Sequence, residues 1–367
     1  MARATREYGD WPLKRLMTEV VGSGHKSADD MNREQARDAF QRILDGEPDH
    51  TTLGAFWLAN RWKRNTPEEL AAFVDVMREE SVEVAAPEAD PVDCGANYDG
   101  KGRSAILGVA AGVVAAAAGT PVVVHSGDRV PTQKQDAYKH VLDELGVMTD
   151  PSPRESAEMV DEVGFGFYYQ PAFNPGVTDL FERRDAMGVR TFVNTMETLA
   201  NPADAAVHLG SFYHLAFAKR MIRTFQACES QTVERALFFQ GMEGYDDIRP
   251  GSTVVAEWPS EDPEADDENI FDFEIRTSEY GVDLESADLE VDDVAADSAE
   301  ITEAVVAGET TDWFDDDDAF EDAVALNAAL RMYAREDVPS LDEGMEQARA
   351  VVADGSAADV LADLKDF

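Results

Sequence analysis

Apolar residues recur at helical spacing through the first fifth of the chain. Ala36, Ala39, Phe40, Ile43 and Leu44 predict a helix over residues 33–45 that Gly46 ends, and Leu53, Phe56, Trp57 and Ala59 predict a second over 51–64. Thr66-Pro67-Glu68-Glu69 is a helix start with Thr at the N-cap, Pro in the first turn and Glu reaching back to the cap, and that helix runs to about Glu80. From about Ser81 the pattern changes to short apolar runs alternating with helical ones, the α/β signature. Strands are expected at 121–125, 163–169, 236–240 and 252–257, with helices at 134–145, 156–161 and 205–225. A strand-like piece at 271–275 lies in loop composition, and helices at 319–335, 340–354 and 357–364 close the chain. The fold class is therefore α/β with a smaller all-α domain: residues 1–82 helical, with a candidate dimer interface, and residues 83–367 α/β, carrying an acidic insertion at about 259–322.

Charge changes this picture more than length does. There are 75 acidic residues against 31 basic ones, a net charge of −44, and only eight of the basic residues are lysine. The acid is spread over helices with clear apolar faces, which fits a surface kept hydrated in concentrated salt better than an acidic tail. Residues 259–322 are the local exception, with roughly 26 acids and one basic residue, Arg276. Asp315 to Asp318 reads as a solvated loop rather than a metal site, because consecutive aspartates do not converge on one ion. The helical first segment is nearly charge-balanced, as a buried face or subunit interface would be. Two cysteines, Cys94 and Cys228, form neither a disulfide framework nor a zinc spacing. No apolar run reaches the roughly 18 residues of a membrane span, and nothing resembles a signal peptide. A reduced, cytoplasmic protein is expected.

Candidate chemistry concentrates in residues 93–146. Gly95, Gly100 and Gly102 punctuate a turn before the small-residue run Ala110 to Gly119. Such a turn opening a helix offers free N–H groups and a positive dipole end to an anion, with Lys101 and Arg103 adding charge. The same pattern serves a structural turn before a tightly packed helix.

The chain resembles the anthranilate phosphoribosyltransferase family, of the nucleoside-phosphorylase-like transferases. The likeness rests on the order of many pieces, among them V-V-A-A-A-A-G-T-P-V at 113–122, R-R-D-A-M-G-V-R-T-F-V-N at 183–194 and L-A-N-P-A at 199–203. It implies a helical domain beside an α/β domain, a cleft between them, a homodimer, and transfer of a phosphoribosyl group from phosphoribosyl diphosphate (PRPP) to an aromatic amine with magnesium. The family's glycine loop G-T-G-G-D-G reads here Gly95-Ala96-Asn97-Tyr98-Asp99-Gly100, and its helix start N-I-S-T reads Ile106-Leu107-Gly108-Val109. Its K-H-G-N-R reads His125-Ser126-Gly127-Asp128-Arg129. Arg184 matches the arginine beside the acceptor, and Asp246-Asp247 matches the acidic magnesium pair.

The resemblance thus implies substrate contacts at Gly95, Asp99, Gly100, Lys101, Arg103, His125, Arg129 and Arg184, and Mg2+ at Asp246 and Asp247. Each has a structural alternative: a capped turn before Pro250, an Arg184 pair with Glu182 or Asp185, a hydrogen-bonded structural histidine. Lys134 and Lys139 line an anion site or balance neighbouring acids. A Y-D-G-K-G-R turn at 98–103 also resembles a divergent branch without the standard phosphoribosyl site, one type of which is associated with nucleic acid. The net charge disfavours a duplex partner. The expectation is an anthranilate phosphoribosyltransferase-like pentosyl transferase with altered activity; the alternative is a catalytically silent binding protein.

Overall fold

The computed structural model describes residues 8–22, 24, 26–259, 269–308 and 318–367. After a short helical stretch (Leu13–Leu16 and Met17–Val21) come three longer helices: α1 (Arg33–Leu44), α2 (His50–Lys63) and α3 (Pro67–Glu80). Thr66 and Glu69 form the expected reciprocal cap, and Asn32 with Gln35 caps α1 in the same way. Next come β1 (Val92–Gly95), α4 (Gly108–Ala117), β2 (Val122–Ser126), α5 (Tyr138–Leu145), α6 (Pro153–Val163) and β3 (Phe165–Tyr169). After α7 (Phe181–Met187) follow β4 (Val207–Phe212), α8 (Leu215–Ala227), β5 (Arg235–Gln240), β6 (Ser252–Trp258) and β7 (Phe271–Arg276). Helices α9 (Val294–Ala307), α10 (Asp318–Ala334), α11 (Leu341–Ala353) and α12 (Ser356–Asp366) complete the main elements.

The strands form one sheet in the order β3-β2-β1-β4-β5-β6-β7, parallel from β3 to β5 and antiparallel at β6 and β7. Side chains alternate between its faces. Val122 and Val124 join a core with the Ala/Gly surface of α4 and the C-terminal helices, while Val123 faces a second core with α1, α3 and α8. Gly112 shows how tightly α4 lies on the sheet: a Cβ there would come within 2.5 Å of the Phe165 ring.

Three expectations are corrected. Residues 205–225 are not one helix, because β4 occupies Val207–Phe212 and the helix starts at Leu215. Strand β1 is also an addition; buried on both faces, it carries no alternation to betray it. The acidic segment is not loop throughout: Asp293 caps α9, whose buried face includes Ile301 and Val305. The expected loop at Asp315 to Asp318 lies outside the described residues except for Asp318, which begins α10, and no helix among those described is long and apolar enough to cross a membrane.

Candidate active site

The chain crosses the sheet between β1 and β4, so the two loops leaving these strands at their carboxyl ends diverge and leave a crevice. A cavity of about 590 Å3 lies there. Gly95 and Asn97 after β1, Ser211 and Tyr213 around the end of β4, and Gly244 after β5 line its sheet side. Arg61 and Arg64 at the end of α2, with Arg190, Thr191, Asn194 and Thr195, line the other. Gly95 is dictated by crowding, since a Cβ would sit 2.4 Å from both the Thr198 carbonyl oxygen and His208 Cε1.

The turn after β1 folds as expected, but its anion-binding groups are already engaged. Gly100 has φ +78°, and a Cβ there would meet the Asp136 carbonyl oxygen at 2.2 Å. The N–H groups of Gly102 and Ser104 donate to Glu243 at 3.3 and 2.9 Å, and the Ser104 hydroxyl donates to it at 2.7 Å. Burial works against the Glu243 charge, yet these bonds hold its pKa below the usual value. At the head of α4, Leu107 N–H donates to Asp247 at 3.2 Å. Carboxylates of residues 243–247 therefore occupy donors that the sequence suggested for phosphate.

Asp246 and Asp247 are fully buried and balanced from within. Lys101 Nζ lies 2.5 Å from Asp247 Oδ2 and donates to the Ala105 carbonyl at 2.7 Å. Arg331 lies 3.1 Å from Asp246 Oδ2, which also accepts from the Tyr138 hydroxyl. Burial and the neighbouring Asp247 push the Asp246 pKa up, against the pull of Arg331. One oxygen of each carboxylate carries no hydrogen bond. Even so, two cations already match two anions with no exposed surface, and Mg2+ keeps several waters when it binds. The pair as arranged does not fit that ion, and the described residues hold no group of three or more His, Cys, Asp or Glu side chains placed for a metal. Lys101 is thus part of a buried ion pair rather than a phosphate contact.

The remaining expected site residues separate. Asp99 lines the cavity and pairs with Arg190 at 2.7 Å; burial nevertheless lifts its pKa to about 6. Arg184 is withdrawn, bonded twice to Glu197 at 2.8 and 2.7 Å, with Gln170 donating to the same carboxylate. Its partner is thus neither Glu182 nor Asp185. His125 is buried: Tyr98 bonds its Nδ1, and Nε2 lies 3.2 Å from Asp93, which binds His208 Nδ1 at 2.8 Å on its other oxygen. Burial would raise the Asp93 pKa, but the two histidines overcome this and hold it well below the usual range. Arg103 is exposed, 3.9 Å from Glu243, and Arg129 pairs with Asp136 at 2.5 Å. Lys134 and Lys139 balance Asp185 and Asp143, each at 2.8 Å. The cavity instead presents Arg61, Arg64 and Arg190, which sequence reasoning passed over. Arg190 stood inside the G-V-R-T-F-V-N piece and was recoverable from it; Arg61 and Arg64 left no signal.

Two family models match the chain. The glycosyl transferase family helical bundle domain covers residues 20–81, and the glycosyl transferase family α/β domain covers residues 94–358. The anthranilate phosphoribosyltransferase of Methanopyrus kandleri is 31% identical over 92% of this chain and 96% of its own. That of Natronomonas pharaonis is 30% identical over the same shares. The crystal structure of the Thermus thermophilus enzyme superposes with a TM-score of 0.77 at 26% identity, covering 92% of this chain and 96% of that one. The Saccharomyces cerevisiae enzyme, solved with PRPP and Mg, shares the fold at a TM-score of 0.73 and 18% identity. With its helical bundle, its mixed sheet and these relatives, the chain belongs to the anthranilate phosphoribosyltransferase family of glycosyl transferases.

Proposed function

We propose that this chain is a pentosyl-type glycosyltransferase that takes PRPP or a related sugar phosphate, together with an aromatic acceptor, into the cavity at the β1/β4 crossover. The observation that carries this is the cavity itself: about 590 Å3, at the carboxyl ends of the parallel strands, lined by three arginines in a chain of net charge −44. Displacement at an anomeric carbon passes through an oxocarbenium-like state, so a carboxylate beside the sugar ring stabilises the barrier-top charge. Asp99 is the carboxylate of the cavity lining, and its pKa of about 6 makes it anionic near neutrality. Arg190 holds Asp99 in place; Asn194, Thr195 and Ser211 supply polar contacts, and Tyr213 and Phe217 supply aromatic surface for an acceptor.

The activity departs from the standard one in how the donor's diphosphate is held. Glu243 and Asp247 cap the turn and helix donors, so diphosphate binding falls to cavity arginines. The test is anthranilate consumption, followed by its fluorescence, with PRPP and magnesium in molar KCl. Turnover abolished by Asp99→Asn supports transfer in this cavity. No turnover from folded protein with anthranilate or other aromatic amines supports the second reading, a catalytically silent binding protein, which the carboxylate-occupied turn favours. A gel shift that persists at rising KCl would add nucleic acid as its ligand, against the weakening with salt expected of phosphate contacts.

A homodimer through the helical segment is part of the proposal. Trp62 is 73% exposed, and with Ala55, Leu58 and Ala59 it lines an apolar groove of about 230 Å3 against Met17 and Val21. Light scattering should read a dimer that Trp62→Glu converts to a monomer.

A further inference from the structure

A second cavity, of about 240 Å3, lies between the start of α2 and α7. His50, Thr51 and Trp57 line it from α2, and Arg183 and Met187 from α7. It shares no lining residue with the crossover cavity, which Arg61 and Arg64 face from the other end of α2.

The polar wall of this second cavity holds donors that nothing answers. Trp57 is 1% exposed, and its indole nitrogen, a donor only, has no hydrogen-bond partner. Arg183 Nη1 is likewise buried and unpartnered. Buried donors are rarely left so, because an unmade bond costs the full desolvation of the group. Arg183 also has acids close by and takes neither. Glu182 and Asp185 share its helix, yet Asp185 pairs with Lys134, and Arg183 forms no ion pair among the described residues. Gly46, at the end of α1, leaves room for the other arm of the fork: a Cβ there would stand 3.7 Å from Nη2. At the start of α2, Asp49 accepts from the amides of Thr51 and Thr52, so these are already engaged. What remains for a ligand is one guanidinium, one indole N–H and one imidazole, with no carboxylate in the lining, in a chain of 75 acidic residues.

We propose that this cavity binds a small carboxylate with a short apolar body, at a site separate from the crossover cavity. Arg183 and Trp57 supply N–H groups for the two carboxylate oxygens, charge-assisted on the arginine side. Leu53, Ala186 and Met187 offer the rest of the ligand only hydrocarbon and a thioether. Inorganic phosphate fits less well, since its further oxygens would meet those apolar groups. The ligand touches α2 of the helical segment and α7 of the α/β segment together, so its binding ties the two and stabilises the fold by mass action.

The test uses the full chain at fixed molar KCl with three probes: butyrate, butyramide and inorganic phosphate. Butyrate should bind at least about tenfold more tightly than butyramide by calorimetry. In protein carrying isotope-labelled tryptophan, the Trp57 indole N–H resonance, identified by its loss in Trp57→Phe, should move with butyrate and hold still with butyramide. Arg183→Met should bring butyrate down to butyramide affinity, while Arg64→Gly, in the crossover cavity, should change neither. Arg183 is only half-buried and carries no bond, so its loss does not endanger the fold. Arg183→Lys, which keeps the charge without the fork, should fall between. Equal binding of butyrate and butyramide by the wild type would overturn the proposal, and so would a preference that survives Arg183→Met. Phosphate that binds through Arg183 more tightly than butyrate does would overturn the choice of a carboxylate. Each outcome is read without turnover, so the proposed transfer stands or falls apart from it.

Discussion

Two regions of one cleft handle charge in opposite ways. At the head of α4, Lys101, Asp247, Asp246 and Arg331 form a closed set in which every ion meets its opposite and none is exposed. In a side pocket of about 130 Å3 between the end of α2, residues 191–195 and α8, Arg61, Arg64 and Arg220 share a wall with no carboxylate. Both regions hold the residue types that an anion-handling enzyme needs. The difference teaches that residue type fixes what a site can bind only after the protein's own side chains have taken their share. The closed set contributes to the fold, whereas the three arginines face no carboxylate of the pocket lining.

The largest expected effect breaks the closed set. Lys101→Met leaves Asp247 buried beside a second carboxylate and should cost about 3–5 kcal/mol in denaturant unfolding. Arg220→Met, in the open set, should stay within about 0.5 kcal/mol of wild type. Equal losses would erase the distinction.

Next in size is the pH dependence of Asp99, which lies between the two regions. Its folded pKa of about 6 exceeds the ordinary 3.8, so the native state binds this proton more tightly than the unfolded chain does. Its contribution is present below about pH 4 and lost as pH rises through about 6, on the order of 2–3 kcal/mol in all. Asp99→Asn should remove that part of the slope in a series of unfolding curves between pH 4 and 7.

A smaller effect is expected at Glu243, whose carboxylate caps the turn. Glu243→Ala should cost about 1–2 kcal/mol. It should also create a thermal shift with inorganic phosphate that exceeds the wild-type shift, because the freed amides become an anion site. An unchanged response would mean that the turn has lost its affinity for anions altogether. Smallest is Arg64→Gly, which should stabilise the fold by about 1 kcal/mol as the positive-φ strain is relieved.

The scaffold was largely legible in the sequence. The Thr66 cap, the small-residue run of α4, strands β2, β3, β5 and β6, and the three closing helices all carry local signals of period or punctuation. Strand β4 misled because V-H-L-G-S-F is short, mixes polar and apolar residues, and runs straight into α8. Helix α9 hid because strongly acidic stretches flank it on both sides; the helix itself carries three acids, Asp297, Glu300 and Glu303, among fourteen residues. The chemistry was legible only as a set of residue types. Lys101 and Arg184 are where an anion contact was expected in the chain, yet each is spent on a carboxylate of another element, Asp247 and Glu197. Spacing reveals which residues share an element, whereas these partners are chosen by how separate elements dock. The backbone angle that presents Arg64 is equally silent in the sequence.

The crossover between β1 and β4 also sets a clock. Val92 pairs with Val207, so one side of β1 waits through synthesis of α4, β2, α5, α6, β3 and α7 before its neighbour exists. At roughly 5–20 residues per second this wait is on the order of ten seconds. During it, the edge of β1 that will carry the cavity stands open, a template for the wrong strand. His208, on the arriving strand, bonds Asp93 of β1 at 2.8 Å, so the pairing that covers this edge also gives each of two buried polar groups its partner.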